Sequence, residues 1–126
     1  MSLTLDGINI LLAEDEILLR ELLVAHLEMR GAHIECASNG ADAFEIFRSK
    51  SFDIVVTDIR MPGQDGIALL RRIRENHLKV TPVLMISGYS DYSEEQLKKL
   101  GANGVLFKPF GVQEFEKSIA DVLMKN

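Results

Sequence analysis

Five short apolar runs alternate along the chain with five stretches of helical periodicity. Ile8-Asn9-Ile10-Leu11-Leu12-Ala13 reads as a strand buried on both faces, and it stops at three acids, Glu14-Asp15-Glu16. The helix that follows places Leu18, Leu19, Leu22, Leu23 and Leu27 on a predicted core-facing stripe. Its leading acids suit the positive end of the helix dipole, and Gly31 is its expected stop. His33-Ile34-Glu35-Cys36-Ala37 alternates weakly as a second strand, and Ser38-Asn39-Gly40 turns into a helix burying Ala43, Phe44 and Phe47. The third strand is the β-branched run from Phe52 to Asp58, ending where Pro62, Gly63 and Gly66 take the chain off the sheet. A helix over Ile67–Asn76 is expected to bury Leu69, Leu70 and Ile73 and to expose Arg71, Arg72, Arg74 and Glu75. After the break at Thr81-Pro82, Val83-Leu84-Met85-Ile86 forms a fourth strand ending at Ser87-Gly88. Ser93-Glu94-Glu95-Gln96 is a capping box opening a short helix that stops at Gly101. Gly104-Val105-Leu106-Phe107 is the fifth strand, ending at Lys108-Pro109, and the last helix carries Phe115, Ile119, Val122 and Leu123 on one side.

Strand–helix alternation with apolar strands implies an α/β domain with a parallel sheet between two helical layers. Right-handed crossovers leave few topologies, of which a flavodoxin-like (βα)5 three-layer sandwich with strand order 2-1-3-4-5 is the expectation. The 126 residues suffice for one domain spanning 1–126, with its core at about 8–124. A composition of 47% hydrophobic and 26% charged residues is that of a globular protein, and no run is long enough to span a membrane. A net charge of −5 argues against nucleic acid as a ligand of this domain, because phosphate backbones require a basic surface. One cysteine, Cys36, cannot make an internal disulfide, so a reducing, cytoplasmic setting is expected.

In a parallel sheet all strands end on one edge, where ligands bind near the switch point between strands 1 and 3. Strand 1 delivers Glu14 and Asp15 there, strand 3 Asp58, strand 4 Ser87 and strand 5 Lys108, while strand 2 brings nothing chemical. Three gathered carboxylates repel and call for a hard divalent cation with oxygen ligands, Mg²⁺ first. Lys108 is a compact charge for Asp58 or for a phosphoryl group on it. Ser87 can hydrogen-bond such a group, and Gly88 keeps side-chain bulk away. A carboxylate beside a metal and a lysine is a nucleophile toward phosphorus, so the expected chemistry is phosphorylation of Asp58.

The ordered set Glu14-Asp15, Asp58 in Asp-Ile-Arg-Met-Pro-Gly-Gln-Asp-Gly, Ser87-Gly88 and Lys108-Pro109 resembles the receiver domain of two-component response regulators, over about residues 8–124. The resemblance implies a histidine kinase or histidine phosphotransfer protein as donor to Asp58. It also implies Mg²⁺ on Glu14, Asp15, Asp58 and the backbone carbonyl of Arg60, and a cis Lys108–Pro109 bond. It further implies a switch on the helix 4–strand 5–helix 5 face, about Ser93–Lys125, read by a downstream protein, a fused output domain or a phosphorylation-dependent dimer. Arg60 and Tyr89, two residues after Asp58 and Ser87, flank the water access to the phosphate in that resemblance. Two positions depart from the pattern: Glu14 where aspartate is more frequent, and Val105 where an inward-swinging aromatic is usual.

Other polar residues read as structural. Glu16 is expected in the first helical turn, Asp65 in the loop, Tyr92 as a loop aromatic and Cys36 as core-adjacent and inert. His26, His33 and His77 form no pattern for a metal or a triad. Three rival functions remain in view. A Mg²⁺ phosphohydrolase resembling the haloacid dehalogenase group would need an aspartate where Arg60 stands. A flavodoxin-like cofactor binder would want a Ser/Thr/Gly-rich loop after strand 1 to cradle a phosphate, which the three acids there would repel. A degenerate receiver would dock partners without being phosphorylated, a reading that Val105 keeps open.

Overall fold

The computed structural model of the protein describes residues 5–75, 80–88 and 92–125. Its sheet contains β1 (Asn9–Ala13), β2 (His33–Ala37), β3 (Ile54–Asp58), β4 (Val83–Ser87) and β5 (Gly104–Phe107). All pairings are parallel and the order is β2-β1-β3-β4-β5, as the alternation predicts. The intervening helices are α1 (Ile17–Met29), α2 (Gly40–Ser49), α3 (Gly66–Glu75), α4 (Glu94–Lys99) and α5 (Val112–Met124). The expected helical residue Asn76, together with His77 and Tyr89, lies outside the described residues.

The sheet separates two cores. Leu11, Val55, Val83 and Met85 meet Phe44, Phe47, Leu69, Leu70, Ile73 and Leu97 of α2, α3 and α4 on one face. Ile10, Leu12, Val56, Leu84, Ile86 and Leu106 meet Leu23, Leu27, Phe115, Ile119 and Val122 of α1 and α5 on the other. Period-two alternation divides each strand between the faces, so every residue of β3 and β4 is buried. The helix ends follow their signals. Gly31 and Gly101 adopt positive φ just past α1 and α4. Asn39 caps α2 through the Asp42 N–H, and the Ser93–Gln96 capping box is formed.

Three sequence expectations are corrected. The leucine stripe of α1 is narrower than predicted: Leu23 and Leu27 are buried, whereas Leu18 is 79% and Leu22 55% exposed. Five leucines at i, i+1, i+4, i+5 and i+9 cover more of a helix than one sheet contact can bury. Arg72 and Arg74 are half-buried, not exposed. Arg72 lies over the Phe44 ring at 3.9 Å, and Arg74 donates to the carbonyls of Thr81 and Gly101 and to Asn103 Oδ1, each at 2.7 Å. Cys36 is exposed, because β2 is an edge strand. His26, a helix residue outside any metal or triad pattern as expected, lies with its Nε2 2.8 Å from Glu116 Oε1 and joins α1 to α5.

Candidate functional site

The strand register explains why the chemistry converges. Ala13 pairs with Thr57, so Glu14, one residue on, stands level with Asp58. Asp58 pairs with Ile86, and Ile86 with Leu106, so Lys108 lies two residues beyond that level. Two residues along a strand restore the same face, and a lysine stem spans that rise. Lys108 accordingly reaches back, its Nζ donating to Asp58 Oδ2 at 2.7 Å and lying 3.8 Å from Glu14 Oε1. Its backbone N–H donates to the Ser87 carbonyl at 2.8 Å, and the Lys108–Pro109 bond is cis as expected.

Asp58 is 5% exposed, and its Oδ1 accepts from the Arg60 N–H at 3.4 Å. Its carbonyl accepts from the Thr57 hydroxyl at 2.9 Å. The loop after β3 is fixed by Gly66, whose N–H donates to the Ile59 carbonyl at 2.8 Å. A Cβ at Gly66 would come within 2.1 Å of the Asp58 carbonyl oxygen, so only glycine lets α3 start this close to the strand end. Asp65 takes the structural role expected of it, accepting from the Ala68 N–H at 2.9 Å.

Glu14 is completely buried, and every one of its polar groups but one is pinned. Its N–H donates to the Ala37 carbonyl, Oε2 accepts from the Glu16 N–H at 3.0 Å, and its carbonyl accepts from Arg20 Nη1 at 2.7 Å. Oε1 alone has no hydrogen-bond partner. Burial, above all, pushes Glu14 up to about 7; the Asp58 charge adds to this, while the Glu16 N–H and Lys108 oppose it. Burial pulls the Lys108 ammonium down, but its hydrogen bond to Asp58 and the charges of Asp58 and Glu14 outweigh that and hold it above the ordinary lysine value. Glu16 sits at the N-cap of α1, one residue before the first turn, and caps no N–H with its side chain.

One carboxylate oxygen each from Glu14, Asp15 and Asp58 lies within 4.8 Å of the others. Two of these acids are buried and Asp15 is exposed, so the group opens to solvent on one side. An all-oxygen anionic set with one orphaned buried oxygen fits a hard divalent cation such as Mg²⁺. The Ser87 hydroxyl donates to the Gly88 carbonyl at 3.0 Å, and a Cβ on Gly88 would meet open space. The strand period sets Ser87 on the α2–α3–α4 side of the sheet, opposite to Asp58, so it borders the site without bonding to it.

Residues 10–120 match the response regulator receiver domain family. The chain belongs to that family. The chain is 34% identical over 112 residues to the transcriptional regulatory protein CrdR of Helicobacter pylori, covering 88% of this chain and 53% of CrdR. It is 32% identical over 118 residues to the probable transcriptional regulator ycf27 of Guillardia theta, covering 93% of this chain and 46% of that protein. The receiver thus spans about half the length of these two curated relatives, and 23% of the Escherichia coli regulatory protein AtoC. The fold agrees with that of the Vibrio cholerae chemotaxis regulator CheY4, at a TM-score of 0.84 and 28% identity over 92% of this chain and 98% of that one. It agrees equally with a receiver domain protein from Clostridium thermocellum, at 0.84 and 27% over 94% and 95%. No helix among the described residues of this receiver is long and apolar enough to cross a membrane.

Sequence reasoning missed two groups, one beside the site and one at the opposite end of the sheet. Arg20 joins the helix to the strand end across six residues, a spacing that no helical rule covers. Arg74 closes the far edge of the sheet, and nothing in a run of three arginines marks which one turns inward.

Proposed function

We propose that this receiver accepts a phosphoryl group on Asp58 from a histidine kinase or histidine phosphotransfer protein, in the presence of Mg²⁺. The observation that carries the reading is the buried cluster of Glu14, Asp58 and Lys108 with the Glu14 Oε1 atom unpartnered. Glu14, Asp15, Asp58 and the Arg60 carbonyl would hold the cation, which when bound supplies charge neutralisation for the transferring oxygens. Lys108 occupies Asp58 Oδ2, leaving Oδ1 as the freer oxygen for attack. The Asp58 oxygen forms the new bond to phosphorus as the phosphorus–nitrogen bond of a phosphohistidine breaks, its electron pair returning to the imidazole. Lys108 remains beside the product to balance the added charge, and the Ser87 hydroxyl would have to turn from the Gly88 carbonyl to reach it.

The protein is regulatory on this reading, acting only on its own phosphorylation and dephosphorylation. The output face is α4–β5–α5, where α4 has a single buried residue, Leu97, and is the helix with least to hold it. Val105 is half-buried against the α2–α3–α4 core and has no ring to swing. Contact with DNA falls to other parts of such regulators, since this domain carries a net charge of −5.

The test is incubation with Mg²⁺ and acetyl phosphate, or beryllofluoride, for the wild type and Asp58→Asn. A single adduct formed by the wild type and lost in the variant is the expected result. No adduct on either protein refutes phosphoacceptance and leaves a docking module, the reading Val105 favours. Rapid multiple turnover of varied phosphate esters would make the protein a phosphohydrolase.

A further inference from the structure

We infer that Arg20, which no metal or phosphoryl group touches in the proposed reaction, is the positioning residue of the acidic pocket. The inference rests on the Mg²⁺ reading above. Arg20 is half-buried on the first turn of α1, and its Nη1 donates to the Glu14 backbone carbonyl at 2.7 Å. That carbonyl is the first one past β1, where the ladder has ended and the chain turns into Asp15 and Glu16. The Glu14 N–H is held by Ala37 on the other side, so the guanidinium completes a frame around one peptide on each flank of the buried carboxylate. Without Arg20, the buried carbonyl loses a charge-assisted bond and the Glu14-Asp15-Glu16 turn loses its only side-chain tether to α1 among the described contacts.

Position and charge both matter here. Glu14 cannot adjust its own side chain, because Oε2 is committed to the Glu16 N–H and the whole group is buried. The direction of Oε1 is therefore set by the backbone that Arg20 holds. Arg20 also brings a fixed positive charge next to the Glu14-Asp15-Glu16 run, on the side away from Lys108, which reaches the same carboxylates from β5. Arg20 borders two cavities, of about 500 and about 620 Å³, the second of which Asp15 also lines, and its guanidinium meets Glu14 through the backbone carbonyl and not through the carboxylate. Groups that orient metal ligands from behind change metal affinity by about tenfold or more when removed.

The experiment is a Mg²⁺ titration of the full chain followed by the backbone amide shifts of Asp15 and Ile59, for the wild type, Arg20→Met, Arg20→Lys and Asp15→Asn. Hydrogen exchange of the Glu16 N–H is measured without metal on the same proteins. Arg20→Met keeps the aliphatic packing and is expected to weaken Mg²⁺ binding by about tenfold and to speed Glu16 exchange by a similar factor. Arg20→Lys restores a charged donor to the carbonyl and is expected to recover most of both losses. Equal Mg²⁺ affinity and exchange in the wild type and Arg20→Met would overturn the inference, as would equal losses in the Met and Lys variants. A wild type that does not bind Mg²⁺, or an Asp15→Asn variant that binds it unchanged, refutes the site reading instead; Glu16 exchange then still decides whether Arg20 orders the turn.

Discussion

Replacing Glu14 by glutamine should stabilise the metal-free protein, and only above the pH at which a glutamate would normally ionise. The folded protein holds the Glu14 proton up to about 7, whereas the unfolded chain releases it near 4.5. Between these values the folded state binds more protons than the unfolded one, so stability falls as pH rises. The contribution is fully present below 4.5 and is lost as pH climbs through about 7. At about 1.4 kcal/mol per pH unit, that span corresponds to roughly 3 kcal/mol, and complete burial of the side chain means solvent screening takes little of it. Glutamine keeps an oxygen for the Glu16 N–H and carries no charge to desolvate, so Glu14→Gln should gain roughly 2–3 kcal/mol at pH 8 and almost nothing at pH 4.5. Urea denaturation of both proteins in EDTA at the two pH values measures the gain, and the difference between proteins cancels every other titrating group. Added Mg²⁺ should narrow the gap at pH 8 by stabilising the wild type more. A gain that is the same at both pH values, or a Glu14→Gln protein less stable than the wild type at pH 8 without metal, would refute the argument.

Two further substitutions probe the frame around the site. Gly66→Ala places a Cβ 2.1 Å from the Asp58 carbonyl oxygen, which forces α3 away from β3; a loss of about 2–3 kcal/mol is expected in urea denaturation, with the Asp58 amide shift moved in NMR spectra. Arg74→Met leaves the carbonyls of Thr81 and Gly101 and the Asn103 side chain without their charged donor, so a loss of about 2–4 kcal/mol is expected by the same measurement, with the proposed adduct formation at Asp58 unchanged.

The strands, their order and the rim residues were legible because each depends on a local rule. A buried parallel strand is an apolar run, its end is marked by acids or by a polar residue with glycine or proline close behind, and parallel connectivity puts all such ends on one edge. Asp58, Glu14, Asp15 and Lys108 could be gathered from those rules alone, and the structure brings them together. What stayed hidden depends on contacts between distant elements. Leu18 and Leu22 are leucines like Leu23 and Leu27, and only the width of the sheet contact decides which pair is left in solvent. Arg72 and Arg74 look equally solvated in sequence, yet one covers Phe44 and the other closes two loops. His26 finds Glu116 ninety positions away, a pairing that exists only because α1 and α5 share a face.

The buried acid at position 14 shows why the site is more than a well-made strand end. A structural carboxylate this deep would be expected to have both oxygens satisfied, or to be replaced by a neutral isostere, because an ionised group out of water is unfavourable. Glu14 instead has its N–H, its carbonyl and Oε2 bonded while Oε1 faces Asp58 and Lys108 without a partner. The fold thus fixes the geometry of the group and leaves its charge unresolved. Local rules are obeyed throughout the surrounding scaffold, from the Asn39 cap to the Ser93 capping box, so the exception stands out against a consistent background. A second negative charge, on Asp58, is 5% exposed and shares one ammonium with it. Once Glu14 is ionised, two carboxylates and one lysine leave a net negative pocket in low dielectric, an imbalance that a cation would relieve. A divalent ion bound beside Glu14 would offset part of the stability that the metal-free carboxylate costs above pH 7.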